Sequence, residues 1–150
     1  MLIKLIVAGG GDEYENLERI IKDLGETDRI SLYGRYTREE SRELFSQADA
    51  FVLTSQVETF GIVYIEALAS GLPCIGTKGQ GADDIINDDN GYLVEYGDIV
   101  LLANCMKQLY ENYSHYDHES IRANCKMRFD KKAVSETITQ VYKKLLKEDK

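Results

Sequence analysis

The sequence is poor in the residues that punctuate or cross-link a chain. In 150 residues it has one proline, Pro73, no tryptophan and three cysteines. With no proline- or serine-rich linker, nothing marks an internal boundary, and a single domain is expected over residues 1–150. Cys74, Cys105 and Cys125 are odd in number, widely spaced and without a CxxC pair. That excludes a disulfide framework and reads as free thiols in a reducing compartment. No apolar run approaches the roughly 18 residues of a membrane span. The N-terminal run Leu2–Ala8 is too short for a signal peptide and is broken by Lys4. A soluble, cytoplasmic chain is therefore expected. Basic residues are also short, 18 against 26 acidic, for a net charge of −8. That excludes a general nucleic-acid binder, which carries a basic face. It leaves a small anionic ligand open, because a local site can be positive on an acidic protein.

What is present is apolar residue in short, regular runs. Hydrophobic residues make up 43% of the chain, enough for a packed core. Leu2–Ala8 reads as a strand ending in Gly9-Gly10-Gly11. A helix is expected from Asp12 to Leu24, with Leu17, Ile20, Ile21 and Leu24 at three-four spacing. Arg29–Tyr33 is a second strand, closed by Gly34. Thr37 opens a helix to Ala48, and Thr37 with Glu40 forms a capping box. Ala50–Thr54 is a third strand. A polar loop, Ser55–Phe60, leads to a helix from Gly61 to Ser70, stopped by Gly71. Pro73–Gly76 is a fourth strand, followed by the Thr77–Gly81 loop and a short helix to Ile86. Asn90-Gly91 is a turn before a strand at Tyr92–Val94. Helices are expected at 99–112, 121–129 and 131–146, with 114–120 polar and irregular.

Alternating strands and helices imply an α/β fold, a Rossmann-like parallel sheet with helices on both faces. Strands buried on both faces read as apolar runs, and these do. In such sheets ligands bind outside the carboxyl ends of the strands. The loops at 9–13, 34–37, 54–61 and 77–82 are therefore expected on one rim. The glycine run at 9–11 follows a strand and opens a helix, as a phosphate loop does. The dinucleotide fingerprint nevertheless fails, because Tyr14 stands where its third glycine belongs. Asp12, Glu13 and Glu15 would also repel a phosphate there. A tight turn and a ligand contact through Gly10 both remain open.

The Ser55–Ala67 segment is more informative. Gly61 permits close approach of a ligand to the backbone, and the first N–H groups of the helix favour anions. Glu58 precedes this helix. Glu66 lies in its second turn among Ile62, Val63, Ile65, Ala67 and Leu68. A carboxylate in such surroundings needs partners. Sugar or ribose hydroxyls are suitable, because an ionised carboxylate only accepts hydrogen bonds. A solvated Glu58 and a lysine-paired Glu66 satisfy the same pattern.

Glu58 and Glu66 stand in the frame ETFGIVYIEALASGLP. This resembles the retaining, GT-B-type glycosyltransferases of family 4, the group 1 glycosyl transferases, in their C-terminal donor-binding domain. The resemblance extends through Leu5–Gly11, Leu32-Tyr33-Gly34, Ala48-Asp49-Ala50, Gly79–Ile86 and Asn90–Val94. It covers about residues 2–112 in register, and 113–146 more loosely.

The resemblance implies transfer of a sugar from a nucleotide-diphosphate-sugar donor to an acceptor, with retention of configuration. Glu58 resembles the catalytic-site carboxylate beside the transferred sugar, and Glu66 the acceptor of hydrogen bonds from the ribose hydroxyls. Phe60, Gly61 and Ile62 resemble the segment whose N–H groups meet the sugar and distal phosphate. Gly34 and Arg35 sit where the family contacts the base. The departing diphosphate is expected to help deprotonate the acceptor, and no cofactor or metal is expected.

The same resemblance implies an N-terminal lobe that binds a glycan or lipid acceptor. It also implies an upstream strand and helix whose arginine and lysine clamp the diphosphate. Neither is in this chain, which is expected to transfer no sugar alone. Peripheral membrane contact of the longer protein belongs to the same expectation. Lys78 is a further rim candidate for the diphosphate.

Two other readings use the same pattern: a non-catalytic nucleotide-binding or regulatory module, and a nucleotide-sugar epimerase lobe. The paired glutamates argue against the epimerase. A phospho-accepting receiver fails because the first strand ends in glycines and the third in Thr54-Ser55. His115 and His118 are expected in a solvated segment, not at a metal. Tyr110, Tyr113 and Tyr116 are expected to form a packing stripe, and Cys74 to pack on a buried strand. The lysines from Lys143 to Lys150 are expected to lie on a solvated helix end.

Overall fold

The computed structural model describes residues 3–79 and 81–148, with side chains to Leu146. Leu2, the expected start of the first strand, and Gln80, in the 77–81 loop, lie outside the described residues, as do Asp149 and Lys150. The chain divides into two compact units, one up to Leu44 and one from Phe45 onward.

The first unit holds β1 (Leu5–Ala8), α1 (Tyr14–Asp23), β2 (Ile30–Gly34) and the start of α2 (Arg38–Gln47). β1 and β2 pair in parallel, Leu5 against Ile30 and Val7 against Leu32. The register slips between Val7 and Ala8, so that Ala8 faces Gly34. Such a bulge bends a strand end and re-aims the chain beyond it. The capping box of α2 forms as expected. Thr37 N–H donates to Glu40 Oε2 at 2.7 Å and Glu40 N–H to Thr37 Oγ1 at 3.2 Å. The α1 stripe is less deeply covered than its spacing implies. Ile21 is buried, whereas Leu17, Ile20 and Leu24 are exposed.

The second unit holds β3 (Phe51–Leu53), α3 (Ile62–Ala69), β4 (Cys74–Thr77), β5 (Gly91–Val94), α4 (Ile99–Glu111), α5 (His118–Phe129) and α6 (Lys131–Glu148). Short 3₁₀ turns lie at Gly81–Asp84 and Tyr113–His115. Its three strands are parallel in the order β3-β4-β5, with Phe51 against Cys74 and Cys74 against Gly91. β4 is buried along its whole length. Its side chains alternate between two cores: Cys74 packs with Tyr64, Leu68 and Cys125 on one face, and Ile75 with Val94, Cys105 and Leu109 on the other. Helices therefore cover both faces of this sheet, as the apolar runs require.

Several expectations need correction. The parallel strands form two sheets, β1-β2 and β3-β4-β5, rather than one. Parallel βα units share one pattern, and the pattern does not say which strand edges pair. Only β4 is buried throughout; β1 and β2 alternate between half-buried and exposed residues. Helix α5 begins at His118, inside the segment expected to be irregular, because Asp117 accepts from Glu119 N–H and Ser120 N–H and caps it. His118 is half-buried, and its Nδ1 lies 2.8 Å from the Gly71 carbonyl oxygen. Tyr113 and Tyr116 pack, but Tyr110 is exposed. The helix ends at Glu111, so a three-residue spacing does not hold one face across that break.

Candidate functional site

The predicted site residues fall in two groups, one in each unit. In the first unit, Gly10, Gly34 and Arg35 gather at the carboxyl ends of β1 and β2. Gly9 N–H donates to the Gly34 carbonyl at 2.9 Å. Gly34 has φ +82°, a conformation that glycine adopts freely. Gly10 is bare because Arg35 needs the space: a Cβ on residue 10 would lie 2.6 Å from Arg35 Cγ. The arginine stem is thus laid over the glycine turn, with its head exposed.

In the second unit, the loop before α3 carries the other group. Gly61, at φ +84°, is the residue that opens α3. Glu58 is half-buried, and its Oε1 accepts from Gly61 N–H at 3.1 Å. The next two N–H groups, of Ile62 and Val63, make no hydrogen bond among the described residues. Phe60 and Ile62 stand exposed on either side of the glycine. Glu66 lies one turn further along, half-buried. No ion pair to it is present among the described residues. Lys78, the other rim candidate, pairs with Glu95 at 3.2 Å.

Three residues that the sequence pattern did not single out build this loop. A Cβ on Gly81 would lie 2.4 Å from the Phe60 carbonyl carbon and oxygen, so the 77–81 loop packs directly on the 55–61 loop. The ring of Tyr64 fills the space between Gly61 and Gly76. A Cβ on Gly61 would lie 2.7 Å from Tyr64 Cδ2, and one on Gly76 3.1 Å from Tyr64 Cζ. The sequence signal was available: an isolated glycine in an apolar strand marks a close approach. Burial pushes the Tyr64 phenol up to about 12. Burial likewise pushes the Cys74 thiol up, so it stays protonated and serves as packing.

The carboxylates, the free N–H groups and the turn glycine thus share one loop-helix unit at the carboxyl ends of β3 and β4. A separate cleft of about 840 Å³ lies beside the start of β5, among Asn87, Asp88, Asn124 and Arg128, and holds no predicted site residue. Among the described residues, no group of three His, Cys, Asp or Glu is placed to hold a metal ion. No helix there is long and apolar enough to cross a membrane.

The model of the family described as "Glycosyl transferases group 1" matches residues 2–127. The chain belongs to this family. N-acetyl-alpha-D-glucosaminyl L-malate synthase of Bacillus anthracis is 31% identical over 98% of this chain and 39% of its own length. Lipopolysaccharide 1,6-galactosyltransferase of Escherichia coli is 34% identical over 81% of this chain and 35% of its own. Among solved structures, Anabaena HepE in complex with UDP-glucose superposes with a TM-score of 0.78 at 25% identity, over 94% of this chain and 41% of HepE. The chain therefore spans less than half the length of the glycosyltransferases it matches. The parallel sheets with helices around them are the α/β lobe expected from the GT-B resemblance.

Proposed function

We propose that this glycosyl transferases group 1 chain forms the donor site of an enzyme that moves a sugar from a nucleoside diphosphate sugar to an acceptor. The observation that carries the reading is the second unit's loop-helix arrangement. Glu58 and Glu66 lie on either side of two unbonded N–H groups at the start of α3, beside a glycine turn. Carboxylates accept from sugar hydroxyls, and helix-start N–H groups donate to phosphate oxygens. In this reading Glu66 takes the ribose hydroxyls and Glu58 the hydroxyls of the transferred sugar. Phe60, Gly61 and Ile62 line the sugar and distal phosphate.

Transfer would proceed with retention. The bond from the anomeric carbon to the phosphate oxygen breaks, and the acceptor oxygen bonds on the same face. The acceptor proton passes to the departing diphosphate. No cofactor or metal enters the scheme, and the acceptor, a glycan or a lipid, is held by residues other than these.

The test separates the two glutamates by calorimetry. The HepE complex makes UDP and UDP-glucose the first probes. E66A is expected to weaken UDP binding by about 1–3 kcal/mol, the usual effect of deleting hydrogen bonds to a charged acceptor. Because Glu58 also holds Gly61 N–H, E58Q is the better variant there: it keeps an acceptor oxygen and removes the charge. It should leave UDP affinity nearly unchanged and weaken UDP-glucose. Equal losses of UDP affinity in both variants would mean that the pair is a structural network around the α3 start.

A further inference from the structure

Tyr64 lies on the buried side of α3, one turn past Gly61, and is 1% exposed. Its hydroxyl donates to the Leu53 carbonyl at 2.6 Å. The backbone N–H of Thr77 interacts with the same phenolic oxygen. Leu53 is the last residue of β3 and Thr77 the last of β4, and the pairing of the two strands ends at Leu53 and Gly76. The phenol therefore sits where the two strands part, below the loops that extend from them. Its ring lies between Gly61 and Gly76 and meets Phe51 edge-on at 5.8 Å. The hydroxyl's bond to Leu53 at the end of β3 sets how far the ring reaches between those glycines, and so sets the height of Gly61 above it.

We propose that Tyr64 is a positioning residue for the transferred sugar: by tying the ends of β3 and β4 to the underside of Gly61, it sets where the Glu58–Gly61 turn stands. The proposal rests on the donor-site reading above and adds a division within it. Gly61 rests on the Tyr64 ring, and Glu58 is bonded to Gly61 N–H. Glu66 is one turn further along α3, held by the helix itself. Losing the hydroxyl should shift the turn and leave Glu66 in place, so sugar recognition should suffer and nucleotide recognition should not.

Calorimetry of this chain with UDP, UDP-glucose and UDP-N-acetylglucosamine tests it, with thermal unfolding in parallel. Y64F should keep its UDP affinity within about twofold and lose about tenfold on whichever sugar donor binds best, the equivalent of about one hydrogen bond. Y64L, which removes both the hydroxyl and the flat ring under Gly61, should show the same selective loss and serves if Y64F does not fold. A lower melting temperature by itself does not produce such a split, so a merely structural tyrosine would not move this readout. A wild-type chain that binds both ligand types, with the variants losing both alike or neither, overturns the role of Tyr64 alone. A wild-type chain that binds no nucleotide overturns the donor-site reading and this proposal with it.

Discussion

The stem of Arg35 lies over Gly10, so close that a Cβ on residue 10 would meet Arg35 Cγ at 2.6 Å. The glycine is kept bare by an arginine from the next strand end, not by a strained backbone, since Gly10 does not have a positive φ. The atom met is near the root of the arginine, so G10A should force Arg35 into another rotamer and lower stability by about 0.5–1.5 kcal/mol. If Arg35 serves the nucleotide, the same variant should weaken UDP binding. R35A should match it in calorimetry, and a normal affinity in both would remove Arg35 from the site.

The end of α3 makes a harsher demand on its glycine. Gly71 has φ +84°, and a Cβ there would lie 2.9 Å from the His118 carbonyl oxygen. His118 Nδ1 and the Arg122 guanidinium approach the Gly71 and Ser70 carbonyls from α5, the latter at 3.0 Å. Both carbonyls are left without helix partners at this end. G71A should lower stability by about 1–3 kcal/mol, through the left-handed backbone and the clash together. Chemical denaturation measures this directly.

Thr77 predicts the opposite sign. Its hydroxyl is buried and has no hydrogen-bond partner among the described residues. Valine has nearly the same shape and strand preference without the unpaired oxygen. T77V should leave the melting temperature unchanged or raise it, by up to about 1 kcal/mol of stability. A clear loss would show that the hydroxyl has a partner in solution.

Stability should fall at both ends of the pH scale, for different residues. The Tyr64 phenol is pushed up to about 12 by burial, against about 10 in an unfolded chain. Its contribution is complete below about pH 10 and is lost as pH rises toward 12, because the unfolded chain ionises first. Y64F should flatten that alkaline decline. At the acid end, hydrogen bonds from Ser120 and Glu119 hold the Asp117 carboxyl low, and those from Thr37 hold Glu40 low. Their stabilisation is present above the ordinary carboxylate range and fades as pH falls through their lowered values. D117N keeps an acceptor at the α5 cap but does not titrate, so it should reduce the acid slope of thermal unfolding.

Local chemistry in the sequence decided much of this protein. The Thr37–Glu40 box, the Gly71 stop and the apolar strand runs act over a few residues, and such short-range rules do not depend on the rest of the chain. The spacing of Glu58 and Glu66 likewise put both carboxylates around one helix start, whatever the rest of the fold. Tertiary packing decided the rest. Which strand edges pair depends on neighbours far away in the chain, and the result was two parallel sheets where one apolar pattern suggested a single sheet. The start of α5 came from the Asp117 cap, in a stretch whose polar composition hid the helix. The surroundings of Tyr64 were not legible in sequence for a similar reason. A tyrosine in an apolar run looks like core, and only the folded chain brings Gly61, Gly76, Leu53 and Thr77 around its ring and hydroxyl. Hydrogen bonds and excluded volume act over a few ångströms, so residues distant in sequence can meet through them only after the fold has formed.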